Sequence, residues 1–195
     1  MLTKIDGAML ADAFPLQHRT AALLAGEATA HGLAPRQWTN RFAVNAQGQS
    51  VLIPARLHFT SGGLLLTEGD EAWRFARALQ TRSNDGFERQ RAARDLLPDI
   101  QPWAAPFIVA LIGEYIVEII DDIAAALTPE LARTLGDFVV QNKAYWQTTK
   151  QRVASYWNVY YRANASSELR RPYRRDQYIG FTLIDRIEMA VSGRA

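Results

Sequence analysis

The segment from Pro106 to Leu127 constrains this 195-residue chain more than any other. It reads PFIVALIGEYIVEIIDDIAAAL, and apart from Glu114, Glu118, Asp121 and Asp122 nearly every side chain is apolar. At about 100° per residue, the four acids of a continuous helix fall within an arc of about 100°. Such a helix is buried around most of its circumference and carries one acidic stripe. The spacing therefore predicts a central apolar helix over about 106–127, with the remaining elements packed around it.

Other segments supply those elements. Pro15 divides residues 2–31 into two helical pieces, and His31-Gly32 reads as a helix stop. Period-two alternation on either side of Asn45–Gln49 predicts an antiparallel β-hairpin over about 37–59. Pro54 requires a free edge on its second strand, and Leu64–Leu66 are candidates for a short third strand. Asp70, Asp85 and Thr128 are placed to cap helices, and Glu88 stands at capping-box spacing from Asp85. Phe87 is expected on the inner face of the helix that Asp85 opens, with Arg89 mostly outward. Gly136-Asp137 is a candidate stop between two helices, and a last amphipathic helix carries Phe181, Ile184, Ile187 and Val191. The helix from Asp85 to Leu97 and the one beginning at Pro106 resemble one HEAT-type hairpin, but a solenoid needs at least about three repeats. The expected fold is α+β and predominantly α-helical: a helical bundle with an N-terminal hairpin. The expected organisation is a single domain, 1–195, with subregions 1–68 and 69–195.

Several functions are excluded by composition. The chain has no cysteine, which removes disulfides, thiolate metal sites and thiol nucleophiles. Its three histidines, His18, His31 and His58, stand apart, so no nucleophilic triad is expected. Dinucleotide-binding glycine fingerprints, Walker loops, zincin helices and nucleophile elbows are missing from the sequence. The longest uncharged apolar run, Gln101–Gly113, is thirteen residues, whereas about 20 are needed to span a bilayer. Residues 1–6 show no signal-peptide pattern. A cytoplasmic protein without membrane insertion is expected.

Charge is segregated along the chain. Residues 1–80 carry +1, residues 81–127 carry −4 and residues 128–195 carry +5. Lys143–Arg175 alone holds eight basic side chains against Glu168, interleaved with Tyr145, Trp146, Tyr156, Trp157, Tyr160, Tyr161 and Tyr173. The expected binding residues are Arg170, Arg171, Tyr173, Arg174, Arg175, Lys150, Arg152, Trp157 and Tyr161. Arginine forks suit carboxylate and phosphate, while aromatic rings anchor protein interfaces or stack on bases. Rings at helical spacing also pack into cores, and arginines also pair with acids.

The expected function is a non-enzymatic protein-interaction module, binding a protein partner or a second copy of the chain. Nucleic-acid binding through the same 143–175 surface is the alternative. A second alternative is a carboxylate-dependent metal enzyme with Glu114 and Glu118 as ligands. No cofactor and no small-molecule ligand are inferred.

Overall fold

A computed structural model describes residues 4–37, 39–60, 66–162 and 174–192. The architecture is α+β and predominantly helical, with one two-stranded antiparallel sheet among the described residues. The chain forms two compact units, Met1–Phe107 and Ile108–Ala195.

In the first unit, Asp6 caps α1 (Gly7–Ala11) by accepting from the Met9 amide. Phe14 and Pro15 end that helical run, a 3-10 turn follows, and α2 spans Arg19–His31. The two helices meet backbone to backbone. A Cβ on Gly26 would overlap the Gly7 carbonyl, and one on Gly7 would lie 2.7 Å from the Glu27 amide nitrogen.

Strands β1 (Arg41–Ala46) and β2 (Gln49–Pro54) pair with Val44 opposite Val51 and Phe42 opposite Ile53. Gln47 and Gly48, at φ 52° and 79°, make the tight turn that matches strand twist. Val44, Ala46, Val51 and Ile53 share the buried face, as the alternation predicts. The ordered ladder is shorter than the expected 37–59 span. The candidate third strand falls largely on residues 61–65, outside the described residues.

Helices α3 (Glu71–Gln80) and α4 (Gly86–Leu96) complete this unit, with a ring cluster of Phe14, Phe75, Trp103 and Phe107. Asp85 caps α4 through the Phe87 and Glu88 amides, but Glu88 accepts from Ser83 instead of closing a capping box. Two expected orientations on α4 are reversed. Phe87 is 81% exposed, because it sits on the first turn ahead of the packed face, and Arg89 is 2% exposed. The Arg89 guanidinium donates to the Ser83 and Asn84 carbonyls, which lie beyond the C-terminal end of α3. Arg82 does the same for Pro54 and Ala55. A buried arginine is tolerable where its donors meet carbonyl acceptors, and the Ser83 carbonyl accepts from both Arg89 and Arg56.

The second unit contains the main correction. The expected single helix over 106–127 is two helices, α5 (Ala105–Ile112) and α6 (Val117–Ala126), separated by a turn at Gly113–Ile116. The apolar residues still form the core: Ile108, Leu111, Ile112, Ile119, Ile120 and Ile123 are fully buried. Gly113 is a poor helix former, and the Glu114 amide bonds back only three residues, to Leu111. Glu114 therefore lies at the turn and not on the stripe of α6.

Thr128 caps α7 (Pro129–Gln141) by accepting from Leu131, with Pro129 at its first position. Gly136 does not stop this helix. A Cβ there would lie 2.9 Å from Val191 of α9 (Ile179–Ser192), so glycine permits close approach of the two helices. The break comes instead at Asn142, before α8 (Lys143–Tyr156).

The Gly7–Gly26 contact carries a stability prediction. Gly26→Ala forces α1 and α2 apart and is expected to destabilise the protein by about 2 kcal/mol, the range for overpacking a tight contact. The midpoint of urea unfolding measures it, and an unchanged midpoint would contradict the contact.

Candidate functional site

The strongest candidate surface lies in the second unit, where the α5–α6 turn meets the C-terminal end of α8. Helix α8 does not end in an α-turn. Residues Trp157–Tyr161 widen into a π-helical turn, closed by the Arg162 amide bonding to the Trp157 carbonyl five residues back. Such widened turns are often found at functional sites. Tyr161 is 5% exposed and donates its hydroxyl to the Tyr115 carbonyl of the α5–α6 turn. Its ring stacks on Tyr178, with centroids 5.2 Å apart.

That anchor leaves three rings together at the surface. Tyr115 lies 6.0 Å from Tyr156 and 5.8 Å from Tyr160, and Tyr156 lies 6.0 Å from Tyr160. Tyr115 is 49% exposed and Tyr160 46%, and Val159 beside them is exposed as well. Three aromatic side chains in mutual contact, two of them about half open to water and Tyr156 more covered, form the kind of patch that anchors protein interfaces.

The expected binding residues divide three ways. Arg170, Arg171 and Tyr173 lie outside the described residues. Lys150 and Tyr161 serve the fold: Lys150 pairs with Glu188 at 2.8 Å, and Tyr161 is the buried anchor. The others reach the surface wholly or in part. Trp157 is half-buried against Phe181, with Arg162 5.6 Å above its ring. Arg175 lies 4.2 Å over Phe181, and exposed Arg174 pairs with Asp176. Arg152 is exposed one helical turn before Tyr156. Its Cδ lies 3.5 Å from where a Gly113 Cβ would be, which places it beside the α5–α6 turn.

The acids are no longer one stripe. Glu114 is 6% exposed at the turn, while Glu118 and Asp121 are exposed on α6. Partial burial pushes the Asp121 carboxyl above its ordinary range, helped by the charges of Glu118 and Asp122. Among the described residues, no group of three or more histidine, aspartate and glutamate side chains is arranged to hold a metal ion. The first unit carries its own polar concavity of about 340 Å³, lined by His18, Glu71, Arg74 and Trp103, among others. There His18 Nδ1 and a Glu71 carboxylate oxygen are 3.2 Å apart.

Comparison with family models, curated proteins and solved structures finds no match to the chain. Among the described residues, no helix is long and apolar enough to cross a membrane. Tyr115 is the surface residue that sequence patterning passed over. Its signal was available: the one aromatic ring in the aliphatic and acidic stretch after Phe107, set directly beside Gly113-Glu114.

Two pH-dependent predictions follow from opposite charge environments. The Lys150 ammonium, with the Trp146 indole donor, holds Glu188 below the ordinary glutamate range against the effect of partial burial. A lowered folded value adds stability above the ordinary value of 4.5 and loses it as the pH falls below. Glu188→Gln is therefore expected to cost about 0.5–1 kcal/mol at pH 7, solvent screening included, and little at pH 3. Equal losses at both pH values would contradict it. For Asp121 the sign reverses, since a raised folded value penalises the ionised form. Asp121→Asn should stabilise at pH 7 by about 0.5 kcal/mol or less and be neutral below about pH 3.8. Thermal melts across that range measure both.

Proposed function

We propose that the chain is a non-enzymatic protein-interaction module that docks a partner on the aromatic and basic surface of its second unit. The observation that supports this most is the cluster of Tyr115, Tyr156 and Tyr160 in mutual contact, with Tyr115 and Tyr160 half exposed and exposed Arg152 and Arg162 on the adjoining turns. Tyrosine and arginine are the residue types most often found to carry interface energy. The Tyr161–Tyr115 hydrogen bond holds the rings in place before a partner arrives, which lowers the ordering cost of binding.

Nucleic-acid binding would use the same rings and cations. The carboxylates of α6 begin three residues after Tyr115, and they oppose an approaching phosphate backbone. A metal enzyme would need Glu114 and Glu118 to converge, whereas one is buried at the turn and the other is exposed on α6. The lack of cysteine suits a reducing cytoplasm, where we place the module.

Affinity capture from native extract tests the proposal with two variants. Tyr115→Ser/Tyr160→Ser should lose the retained partner, and Phe87→Ser, which alters a more exposed ring in the other unit, should keep it. Labelled single-stranded RNA and DNA at low salt should bind neither. Retention of the partner by the tyrosine variant, or nucleic-acid affinity falling log-linearly with salt, would count against the module.

A further inference from the structure

We propose that the polar concavity of the first unit binds a neutral sugar of one or two rings, a role separate from the tyrosine surface of the second unit. The concavity encloses about 340 Å³, at the small end of ligand pockets, which run to about 300–1,000 Å³. The deciding feature is the Trp103 indole. That side chain is only 4% exposed, packs on Phe14 and Phe75, and lines the concavity. Among the described residues no acceptor meets its N–H, which keeps contact with solvent, unlike the His18 Nε2. A buried tryptophan N–H ordinarily finds a partner, and the concavity is where one fits. The His18 Nε2 is shut in without a hydrogen-bond partner, so Nδ1 is the nitrogen that donates, 3.2 Å from one Glu71 carboxylate oxygen. That bond steadies the carboxylate and leaves its other oxygen as an acceptor. Gln17 donates to the Gln47 side-chain oxygen at 3.2 Å, and Gln101 donates to Asp99 at 2.9 Å. The Gln47 amide hydrogens remain as donors, and the Gln17 and Gln101 side-chain oxygens as acceptors.

This wall mixes donors with acceptors and has no spare cation. Arg74 is committed to Asp99, donating to both its carboxylate and its carbonyl. A phosphate or carboxylate entering the site meets the like charge of Glu71. An ammonium ion satisfies Glu71 but sets its own N–H groups against the Trp103 and Gln47 donors. A hydroxyl both donates and accepts, so a ring carrying several of them serves every group in turn without burying a charge. The walls are also held before a ligand arrives. The Leu16–His18 turn is tied to the hairpin by the Gln17–Gln47 bond and by the Leu16 amide donating to Gln49, and to the first turn of α3 by His18 and Glu71. Such preorganisation lowers the ordering cost of binding. An open, polar site of this size is expected to bind with a Kd on the order of a millimolar.

Heteronuclear NMR of the full chain reads the site directly, because Trp103 gives one of five indole N–H signals. It is assigned as the signal that Trp103→Phe removes, or by sequential backbone assignment if that variant does not fold. The probes are glucose, galactose, N-acetylglucosamine and maltose, with phosphate, ethylammonium and glycine beside them. At least one sugar should shift the Trp103 signal saturably, and the three ions should shift it less or not at all. Glu71→Ala should weaken the sugar about tenfold, and Glu71→Gln, which keeps an acceptor oxygen without the charge, should recover most of that loss. Gln47 is exposed and sits at positive φ, where asparagine is tolerated. Gln47→Asn withdraws the amide by one methylene and should weaken the sugar severalfold, which keeps the proposal testable if a Glu71 variant is unfolded. No saturable shift with any of the four sugars overturns the proposal. So does a sugar whose affinity ignores both Glu71→Ala and Gln47→Asn, or a stronger response to phosphate, ethylammonium or glycine than to every sugar.

Discussion

A helix interrupted inside an apolar core leaves backbone groups that need partners, and the second unit depends on how that need is met. Between α5 and α6 the Tyr161 hydroxyl takes the Tyr115 carbonyl. At the other end of α6, Arg186 of α9 donates to the Ala124 and Leu127 carbonyls. Both donors come from C-terminal elements far away in sequence. An unsatisfied buried carbonyl costs about 1–3 kcal/mol, so these side chains help fix where α6 begins and ends. The Tyr161 bond also sets the backbone at Tyr115 and thereby helps turn its ring outward. The surface cluster is in this sense a by-product of closing the core.

The same accounting answers part of the question posed by the segregated charge. Some of the C-terminal basic excess is used inside the unit. Arg186 serves carbonyls, and Lys150 serves Glu188 together with the Trp146 indole. Arg175 and Arg162 are committed to ring faces, where a planar cation gains without a carboxylate. Internal pairing and external display therefore coexist in one segment, and the sum of charges over a stretch of sequence does not separate them.

What the sequence disclosed follows from which signals are local. The hairpin was legible because alternation and the Gln47-Gly48 turn are both short-range, and the ladder has the buried face that alternation predicts. Thr128 and Asp85 were legible as caps for the same reason. The α5–α6 break was not. Hydrophobicity runs through Gly113 without a change of period, and the donor that stabilises the turn sits 46 residues away. Projecting Glu114 onto a continuous helix then placed a buried turn residue on an acidic surface. Arg89 misled in the same manner, since its acceptors are carbonyls, which carry no sequence signature. Gly136 offered two meanings, a stop or a close approach, and only the position of Val191 decides between them.

The widened turn at the end of α8 explains how so many aromatic residues share a short segment without all being buried or all exposed. From Tyr156 to Tyr161 the chain carries four rings in six positions. Tyr161 points inward to Tyr115 and Tyr178, Trp157 leans on Phe181, and Tyr160 stays beside Tyr156 and Tyr115 at the surface. An α-turn places residues four apart on the same face, which would tend to bring Trp157 and Tyr161 to one side. Both do join one ring cluster, Trp157 on Phe181 and Tyr161 on Tyr178, which itself lies 5.9 Å from Phe181, while the turn closes over five residues from Arg162 back to Trp157. One ring is then free to reach the α5–α6 carbonyl while its neighbour joins the exposed cluster. Burial of Tyr161 and display of Tyr160 are thus two consequences of one backbone irregularity. A substitution that restored a regular α-turn would disturb the core anchor and the binding surface together.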